Sequence, residues 1–415
     1  MQRLCSVGEK GPANIVKTAI GRHNNIMETS IHIIGAGIAG LTLALGLLRQ
    51  GLKIKIYEHA NALGEVGAGL SISPNASKGL AYLDMSNFME TQSNTPQTNY
   101  VFHGATDEKL VAIDRKDDVR KFGAKYYQIH RSDFHAELVK RVLSLAPDAI
   151  ELGHQLTSVE DNPEYTKLVF ANGKTVKAET TIGADGIKSR VRDDVFGDCE
   201  PEFTGLMAWR GLITADQVPD IFTQAVSRVW TGPGRTFVTY PIRGNSLINV
   251  VAMGKASKWR EEGWSVKANP QELLATFQDW CQPVQTLINA IPAQDLFRWG
   301  LFSRRPLPSL ISGNVALIGD AAHPMLPWFG QGASSSIEDG IVFARCFEQA
   351  DNAHKALKLY DKARHERVTF LQRESNLGTE RMQGMDPYSL RDAPRRDEDA
   401  LGIFKYNPAA VTLSA

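Results

Sequence analysis

The chain has 415 residues, of which 43% are hydrophobic and 22% are charged, as in ordinary globular proteins. Lys and Arg together number 46, as do Asp and Glu, so the net charge does not indicate a nucleic acid or a membrane surface as partner. No run of about 18 apolar residues is present, which excludes a helix that spans a bilayer.

Four cysteines, Cys5, Cys199, Cys281 and Cys346, lie far apart in the chain. They form neither a Cys-x-x-Cys pair nor a spacing typical of metal ligands, and we predict no metal site. Isolated thiols fit a reducing compartment and predict a cytoplasmic location.

Residues 1–26 carry four basic side chains against one acid and contain no apolar stretch, which argues against a secretory signal. We predict a disordered extension, or upstream codons read as protein, with Met27 as the natural start. An organellar transit peptide is the alternative.

The first predicted elements are a strand, a glycine motif and a helix in direct succession. Ile31–Ile34 is a β-branched run typical of a buried parallel strand, and residues 41–48 form an apolar helical stretch. Between them stands Gly-Ala-Gly-Ile-Ala-Gly at residues 35–40. The helix N-terminus at Ile38 and Ala39 is expected to face the phosphates of a dinucleotide.

Each glycine of this motif has a separate expected task. Gly35 makes the tight turn, Gly37 lets the backbone approach a pyrophosphate, and Gly40 brings the helix close to the strand. Residues 53–58 alternate as a second strand that ends at Glu58, 18 residues after Gly40, where an acid accepts hydrogen bonds from a ribose. The acid favours FAD or NAD over NADP. A junction that is rich in glycine for packing alone is the alternative.

A second glycine segment lies far along the chain. Residues 178–183 are predicted to form a strand that ends in a turn at Gly-Ala-Asp-Gly (183–186), with a helix opening at 187–192. An Asp-Gly turn alone is common on protein surfaces. Ser189 and Arg192, which follow this turn, make the sequence motif as a whole more specific than the turn alone.

The third segment is the most specific. Residues 314–318 form an apolar strand, and Gly-Asp-Ala-Ala-His-Pro (319–324) follows at its carboxyl end, where α/β sheets present ligands. The carboxylate of Asp320 could accept hydrogen bonds from a ribityl chain. The loop that continues to Pro327 could lie along a flat ring.

A helix is predicted to begin at Ala333, directly after Gly330-Gln331-Gly332. Backbone N–H groups at Gly330, Gly332 and Ala333 would then face the negative charge that develops on a flavin pyrimidine ring.

With these three glycine segments in this order and at these separations, the chain resembles the FAD-dependent aromatic hydroxylases of the p-hydroxybenzoate hydroxylase fold. Within them it resembles the salicylate hydroxylase-like branch. The resemblance runs from about residue 31 to residue 361. The matching residues are 35–40, Glu58, 183–190, 319–324, 67–69 with 73–75, 209–211 and 240–244.

The resemblance implies an α/β fold with a Rossmann-like FAD-binding domain, an inserted and mostly antiparallel β-sheet substrate domain, and C-terminal helices. The FAD-binding domain is expected at residues 27–195 and 296–380. The substrate domain is expected at 196–295, to which part of 96–125 could contribute. Residues 381–415 are expected to be a peripheral tail.

The resemblance also assigns individual roles. It implies that Arg131 contacts FAD and that Asp185 serves both FAD and the reductant. It further implies that Asp320 binds the ribityl or pyrophosphate part and that Pro327 stands over the isoalloxazine face. FAD would be tightly bound, whereas NADH or NADPH would bind transiently, since no second Gly-x-Gly-x-x-Gly is present.

Residues 206–213, 226–230, 236–240 and 247–252 read as strands of an antiparallel sheet that could roof a cavity over the flavin. The resemblance makes Tyr240 the candidate that orients or deprotonates a phenolic substrate, although a ring packed into the sheet is the alternative.

Related phenol hydroxylases often carry a histidine four residues before this tyrosine, where the chain has Thr236, which cannot be a general base near neutral pH. Either another residue deprotonates the substrate or the substrate needs no base. His130 and His323 are possible substitutes, each with a structural role as the alternative. Arg210 and Arg243 could bind a substrate carboxylate, or could be structural arginines.

The resemblance implies a single-component monooxygenase in which NADH or NADPH reduces FAD and oxygen adds at the flavin C4a. The resulting hydroperoxide would hydroxylate a small aromatic, salicylate-like substrate. Two alternatives stay open: a related flavoenzyme that performs epoxidation, quinone-pathway or natural-product oxidation, and a non-catalytic flavin-binding protein. Whether the chain forms a homodimer is also open.

Overall fold

The computed structural model describes residues 30–64, 68–197, 200–256, 266–394 and 396–414. The expectations for residues 1–26 and for a start at Met27 therefore lie outside the described residues, as do Gly67 of the matching residues and two of the cysteines. The other two, Cys281 and Cys346, are free thiols.

The strands are numbered in chain order. They are β1 (Ile31–Ile34), β2 (Ile54–Tyr57), β3 (Gly69–Ile72), β4 (Thr98–His103), β5 (Lys109–Asp114), β6 (Tyr127–His130), β7 (Ile150–Glu151), β8 (Leu156–Asp161), β9 (Thr166–Phe170), β10 (Thr175–Ala178), β11 (Thr180–Gly183), β12 (Glu202–Thr214), β13 (Val226–Gly232), β14 (Arg235–Ile242), β15 (Leu247–Lys255), β16 (Val266–Lys267), β17 (Phe297–Ser303), β18 (Ile311–Ser312) and β19 (Val315–Leu317).

The helices are numbered in the same way. They are α1 (Ile38–Arg49), α2 (Pro74–Tyr82), α3 (Ser86–Gln92), α4 (Asp118–Phe122), α5 (Arg131–Leu145), α6 (Arg190–Phe196), α7 (Pro270–Thr276), α8 (Gln282–Ala290), α9 (Gln331–Gln349), α10 (Ala353–Gln383) and α11 (Ser389–Asp392). None of these helices combines the length and the apolar character that a membrane crossing requires.

The dinucleotide-type sheet has the strand order β18-β19-β11-β1-β2-β7, and all pairs are parallel except β18 with β19. Every residue of β1 is buried, as its β-branched run predicts. In the register of the sheet, Ile34 lies opposite Tyr57 on one side and Gly183 on the other. The carboxyl ends of β1, β2 and β11 therefore meet at one edge, and the predicted α/β fold is confirmed.

A second sheet has the order β16-β17-β12-β15-β14-β13-β4-β5 and is antiparallel except between β13 and β4. Its strands β12 to β15 contain the four predicted strands. The domain boundary expected at residue 296 is wrong for β17, because this strand pairs with β12 and extends the substrate sheet. Strands β4 and β5, inside residues 96–125, also belong to it.

The two faces of this sheet pack against different partners because side chains alternate along each strand. Trp209 and Phe237 belong to a core shared with helices α7 and α8. Their neighbours Ala208 and Val238 turn to the opposite face, where they pack near Leu326 from the loop after β19. The sheet therefore covers the third glycine segment with the face that carries the even-numbered residues of β12 and β14.

Residues 381–415 were expected to form a peripheral tail; most of their described side chains are exposed or half-buried, but the segment is anchored to the domain. Ile403 and Phe404 are fully buried in a small core with Phe122 and Tyr126. Arg396 also donates two hydrogen bonds to Glu374 of α10. The segment is rich in charged residues, but it contains a few apolar side chains. Their burial anchors the segment to the domain.

Candidate active site

The three glycine segments, remote in sequence, contact one another directly at the edge of the parallel sheet. A Cβ atom on Gly35 would lie 2.8 Å from the carbonyl carbon of Ala184, and one on Gly319 would lie 2.8 Å from Cβ of Ala39. Gly35 also has a φ of 104°, in the region that favours glycine. These positions exclude any side chain, so the segments pack closely only because glycine is present.

The space on the other side of these segments is open. A Cβ atom on Gly37 or on Gly332 would meet nothing within 4 Å in the described chain. No described side chain caps the N-terminus of α1 or of α9. The first N–H groups of both helices are therefore uncapped beside open space and can bind an anionic ligand.

Glu58 lies where β2 ends, beside the first glycine segment. Its Oε2 accepts a hydrogen bond from the Ala36 N–H at 2.8 Å, and its Oε1 accepts one from the Ala60 N–H at 2.9 Å. The carboxylate is thereby fixed against the glycine turn, and its expected contact with a ribose stays a prediction.

Asp320 and Arg131, two predicted FAD contacts from distant segments, lie close enough for their charges to interact. Burial raises the pKa of the Asp320 carboxyl, whereas the nearby charges of His323 and Arg131 act to lower it. No hydrogen bond reaches this carboxylate from the described residues, so its oxygens can accept from ligand hydroxyls.

Asp185 stabilises the turn between the second glycine segment and α6. Its Oδ1 accepts a hydrogen bond from the Ser189 hydroxyl at 2.6 Å, and its Oδ2 accepts one from the Val191 N–H at 3.2 Å. Ser189 in turn caps α6 by accepting from the Arg192 N–H. The carboxylate thus organises the turn, and its expected contacts with FAD and the reductant stay a prediction.

Arg192 connects the second segment to the third. Its fully buried guanidinium donates to the carbonyl oxygens of Ala321 at 3.2 Å, Ala322 at 2.9 Å and Arg305 at 2.8 Å. The spacing of Arg192 behind the turn was visible in the sequence, but the carbonyls that it binds were not.

Sequence reasoning missed a buried ionic network behind the third segment. Asp339 of α9 accepts hydrogen bonds from the Gly319 N–H at 2.9 Å and from Arg364 Nε at 2.8 Å. His323 Nε2 lies 2.6 Å from the same carboxylate, and Glu338 accepts from Arg364 Nη1 at 2.7 Å. Burial opposes ionisation of Asp339, but His323 and Arg364 outweigh it and hold its pKa below the usual value.

A signal for this network was present in the sequence. Two adjacent acids stand in the apolar stretch Ile337-Glu338-Asp339-Gly340-Ile341, and acids buried in a helix need cationic partners. The network gives His323 a structural role, which is the alternative that the sequence left open.

Tyr240 lies on the sheet face that covers the third segment and is only 7% exposed. A Cβ atom on Gly69 would lie 2.7 Å from its hydroxyl oxygen and 2.6 Å from Cγ of Asn249. Thr236 lies four residues before Tyr240 on the same face of β14. It is buried, and its hydroxyl lies 3.5 Å from the carbonyl oxygen of Met382. Half-buried Val238 lies between them.

The two candidate arginines occupy different environments. Arg210 lies on the same sheet face as Tyr240, with its guanidinium carbon 5.5 Å from the ring centres of both Phe297 and Trp299. Arg243 instead donates two hydrogen bonds to Asp133, at 2.8 and 2.6 Å, at the surface. Arg210 therefore lies on the same sheet face as Tyr240, and its contact with a substrate carboxylate stays a prediction, whereas Arg243 forms a structural ion pair.

Pro327 is exposed between the buried residues Leu326 and Phe329, in a short 3-10 turn that ends at Gly330. The next residue, Trp328, donates from Nε1 to the Thr379 hydroxyl at 2.9 Å, which fixes the turn against α10. The turn leads directly into the N-terminus of α9, and the expected flavin contacts of Pro327, Gly330, Gly332 and Ala333 stay predictions.

A family profile described as an FAD binding domain matches residues 28–375. A 3-amino-4-hydroxybenzoate 2-monooxygenase of Streptomyces platensis is 34% identical over 378 residues, which cover 90% of this chain and 92% of that protein. A 6-hydroxynicotinate 3-monooxygenase of Pseudomonas fluorescens is 33% identical over 363 residues, which cover 86% of this chain and 93% of that protein.

Among solved structures, a salicylate hydroxylase substrate complex superposes with a TM-score of 0.78 at 27% identity. The superposition covers 92% of this chain and 96% of that one.

Proposed function

The chain belongs to the FAD-binding family of FAD-dependent aromatic hydroxylases, and we propose that it uses NADH or NADPH to hydroxylate a small aromatic acid that resembles salicylate. One observation carries this proposal: the three glycine segments meet, and Leu326, directly after the third, packs on the sheet face that bears Tyr240 and Arg210. A cofactor along these segments would present its reactive ring to a substrate held by that face.

The residues at the edge of the parallel sheet fit FAD. The open space beside Gly37 and the uncapped N-terminus of α1 suit a pyrophosphate, and Glu58 suits the adenosine ribose. Asp320, with its hydrogen-bond acceptors unfilled by the described chain, suits the ribityl hydroxyls. The N-terminus of α9 suits the pyrimidine side of the flavin.

When bound, FAD supplies electron storage and oxygen activation, and the protein supplies position and environment. Arg192 and Asp339 fix the backbone of the third segment. The sheet excludes water from the face that would cover the flavin. Tyr240 orients the substrate through its hydroxyl, and Arg210 attracts the carboxylate of an aromatic acid.

A substrate panel tests the proposed function. Hydroxybenzoates and hydroxypyridine carboxylates are added to the FAD-loaded protein with NADH or NADPH, and cofactor oxidation and product mass are followed. We expect at least one of these acids to accelerate the oxidation and to gain one oxygen atom with its ring intact. Oxidation that no aromatic acid accelerates would contradict the proposal.

Tyr240→Phe is expected to lower kcat/KM for hydroxylation by about 10- to 100-fold, because one hydrogen bond to a charged substrate oxygen is lost. FAD content, read from the visible absorbance of the purified protein, is expected to be unchanged. Unaltered turnover would remove Tyr240 from the active site.

Arg210→Gln is expected to raise KM for a carboxylated substrate by about 10- to 100-fold, since a charge-assisted contact is lost. Arg243→Gln is the matched control, because Arg243 is engaged by Asp133 at the surface. Equal effects of the two substitutions on KM would assign Arg210 no specific contact with the carboxylate.

A cytoplasmic location and a homodimer stay predictions of the sequence.

A further inference from the structure

We propose that helix α10 bridges the loop of residues 324–329 and the substrate sheet, and thereby sets the gap in which the aromatic ring of the substrate lies. Gln372, Ser375 and Thr379 on α10 are the positioning residues of this bridge. The inference rests on the proposed function, since it assumes that the loop borders the flavin. It also assigns Thr236 a role that is not catalytic.

One face of α10 binds carbonyl groups of the loop. Gln372 Nε2 donates to the Pro324 carbonyl oxygen at 2.9 Å and to that of Arg304 at 2.8 Å. Nearly one turn later, the Ser375 hydroxyl donates to the Leu326 carbonyl oxygen. A spacing of three residues keeps both side chains on one side of the helix. Both are fully buried, so these hydrogen bonds satisfy polar groups that are costly to leave unpaired.

Trp328 fits into a notch on the same helix. A Cβ atom on Gly378 would lie 2.6 Å from Cβ of Trp328 and 2.7 Å from its Cγ, so a side chain at Gly378 would displace the tryptophan. Trp328 Nε1 also donates to the Thr379 hydroxyl at 2.9 Å. The short turn Pro327–Phe329 is therefore fixed to α10 by a close contact and by a hydrogen bond.

The other side of the loop contacts the substrate sheet. The Leu326 side chain belongs to a core with Ala208 of β12 and Met253 of β15, and Trp328 packs against the same core. The loop is thus held between the sheet and α10. Because protein interiors are densely packed, a shift of α10 changes the distance between the loop and the sheet.

The substrate sheet also binds the C-terminus of α10. The last carbonyl groups of a helix have no partner within the helix. That of Met382 accepts a hydrogen bond from the Thr231 hydroxyl and another from the Thr236 hydroxyl at 3.5 Å. That of Gln383 accepts one from the Gly234 N–H at 2.9 Å. The helix is therefore joined to the β13–β14 hairpin at its end and to the loop along one face.

These contacts give Thr236 a structural task. Thr231 and Thr236 lie opposite each other in the register of β13 and β14, so their side chains share the sheet face that covers the third segment. The position that often carries a histidine in related phenol hydroxylases therefore holds the end of α10 in this chain.

A fixed gap determines how the reductant is used. With one proton and one dioxygen, each NADH or NADPH yields either one hydroxylated product and one water or one hydrogen peroxide. Hydroxylation requires the ring in a reactive position, and a displacement of 1 Å can slow such a step by about 100-fold. Release of peroxide requires no such position, so a loosened bridge favours peroxide.

Hydrogen exchange of the protein without FAD tests the bridge apart from catalysis. Gly378→Ala, which displaces Trp328, and Thr379→Val, which removes its acceptor, are expected to raise exchange of the backbone amides of residues 325–330 about fivefold. Thr379→Ser keeps the hydroxyl and is expected to behave like the unmodified protein. Unchanged exchange of these amides in both disruptive variants would overturn the inference.

His365→Ala is the matched control for this measurement. His365 Nε2 lies 2.7 Å from the Leu307 carbonyl oxygen, so the same helix here contacts a different loop. Exchange of residues 325–330 is expected to be unchanged in this variant. An increase as large as that in Thr379→Val would show that any loosening of α10 has this effect and would refute the specific role of Thr379.

Thr231→Val tests whether the helix joins the sheet to the loop. Loss of the bond to Met382 is expected to raise exchange of residues 379–383 about fivefold. Exchange of residues 325–330 is expected to rise about two- to fivefold, since the bridge transmits the change. Faster exchange of the helix end with an unaltered loop would contradict the bridge.

Turnover of the FAD-loaded protein tests the positioning role with an acid that the substrate panel identifies. Gly378→Ala and Thr379→Val are expected to form about two- to tenfold less product per reductant, with the balance as hydrogen peroxide. KM is expected to change by less than about twofold, because the contacts of the substrate with the sheet are kept. Thr379→Ser is expected to restore the ratio.

A loss of stability alone lowers the amount of active protein and leaves the ratio of product to reductant unchanged. An unchanged ratio together with faster exchange of the loop would therefore refute the positioning role. If the unmodified protein hydroxylates no acid, the proposed function fails, whereas hydrogen exchange still decides whether α10 bridges the loop and the sheet.

Discussion

Asp320→Ala is expected to purify with little FAD and to bind added FAD about 10- to 100-fold more weakly than the unmodified protein. The reason is that a carboxylate at the end of β19, partnered by no described hydrogen-bond donor, would lose its bonds to the ribityl hydroxyls. Flavin content and Kd are measured from visible absorbance and from quenching of flavin fluorescence. Asp320→Asn, which keeps one acceptor oxygen, is expected to be intermediate.

The pH dependence of FAD binding provides an independent check of this residue. Burial raises the pKa of Asp320 in the unliganded protein, and hydrogen bonds from hydroxyl groups would favour the ionised form. Affinity should therefore fall as pH falls in the unmodified protein and should depend less on pH in Asp320→Ala. Normal FAD content in Asp320→Ala would contradict the assignment.

Asp339→Ala is expected to lower the free energy of unfolding by about 3–5 kcal/mol, the cost of removing one partner from a buried ion pair. The substitution would deprive Arg364, which has no exposed surface, of one of its carboxylate partners. It would also remove the acceptor for the Gly319 N–H and for His323.

Denaturant unfolding measures this effect, and Asp351→Ala is the matched control. Asp351 contacts Lys355 at the surface, where an ion pair contributes about 0–1 kcal/mol. A loss of stability no larger than that of the control would show that the network behind the third segment does not stabilise the fold. Reduced FAD affinity in Asp339→Ala is a secondary expectation, since Gly319 precedes Asp320.

Much of the scaffold was predictable because its signals are local. The buried strand Ile31–Ile34 requires a β-branched run, and the turn at Gly35 requires a residue that tolerates positive φ. The third segment was recognisable because an acid and a constrained loop follow an apolar strand. These patterns depend on neighbours in the sequence, so the chain displays them directly.

The contacts that join the segments were not predictable, because each depends on residues that are distant in sequence. Arg192 binds carbonyl groups, and carbonyl groups carry no sequence signature. Asp339 accepts from the Gly319 N–H only because α9 packs behind the third segment.

The anchoring of the C-terminal segment was not predictable for a related reason. Ile403 and Phe404 are few among many charged residues, and their burial depends on a cavity that Phe122 and Tyr126 provide. Arg243 shows the converse case, since its guanidinium suggested a contact with a substrate carboxylate, whereas the carboxylate that binds it is Asp133 of α5.

The proposed hydroxylation is tested most directly by the origin of the oxygen atom in the product. The FAD-loaded protein is incubated with NADH or NADPH, a hydroxy-aromatic acid and dioxygen labelled with oxygen-18. The mass of the product is then measured by mass spectrometry. We expect one labelled oxygen atom on an intact ring, in a product whose formation requires both FAD and the reductant. Oxygen derived from water would contradict this expectation, and so would oxidation of the reductant that only reduces dioxygen to hydrogen peroxide, with no oxygenated product from any acid of the panel.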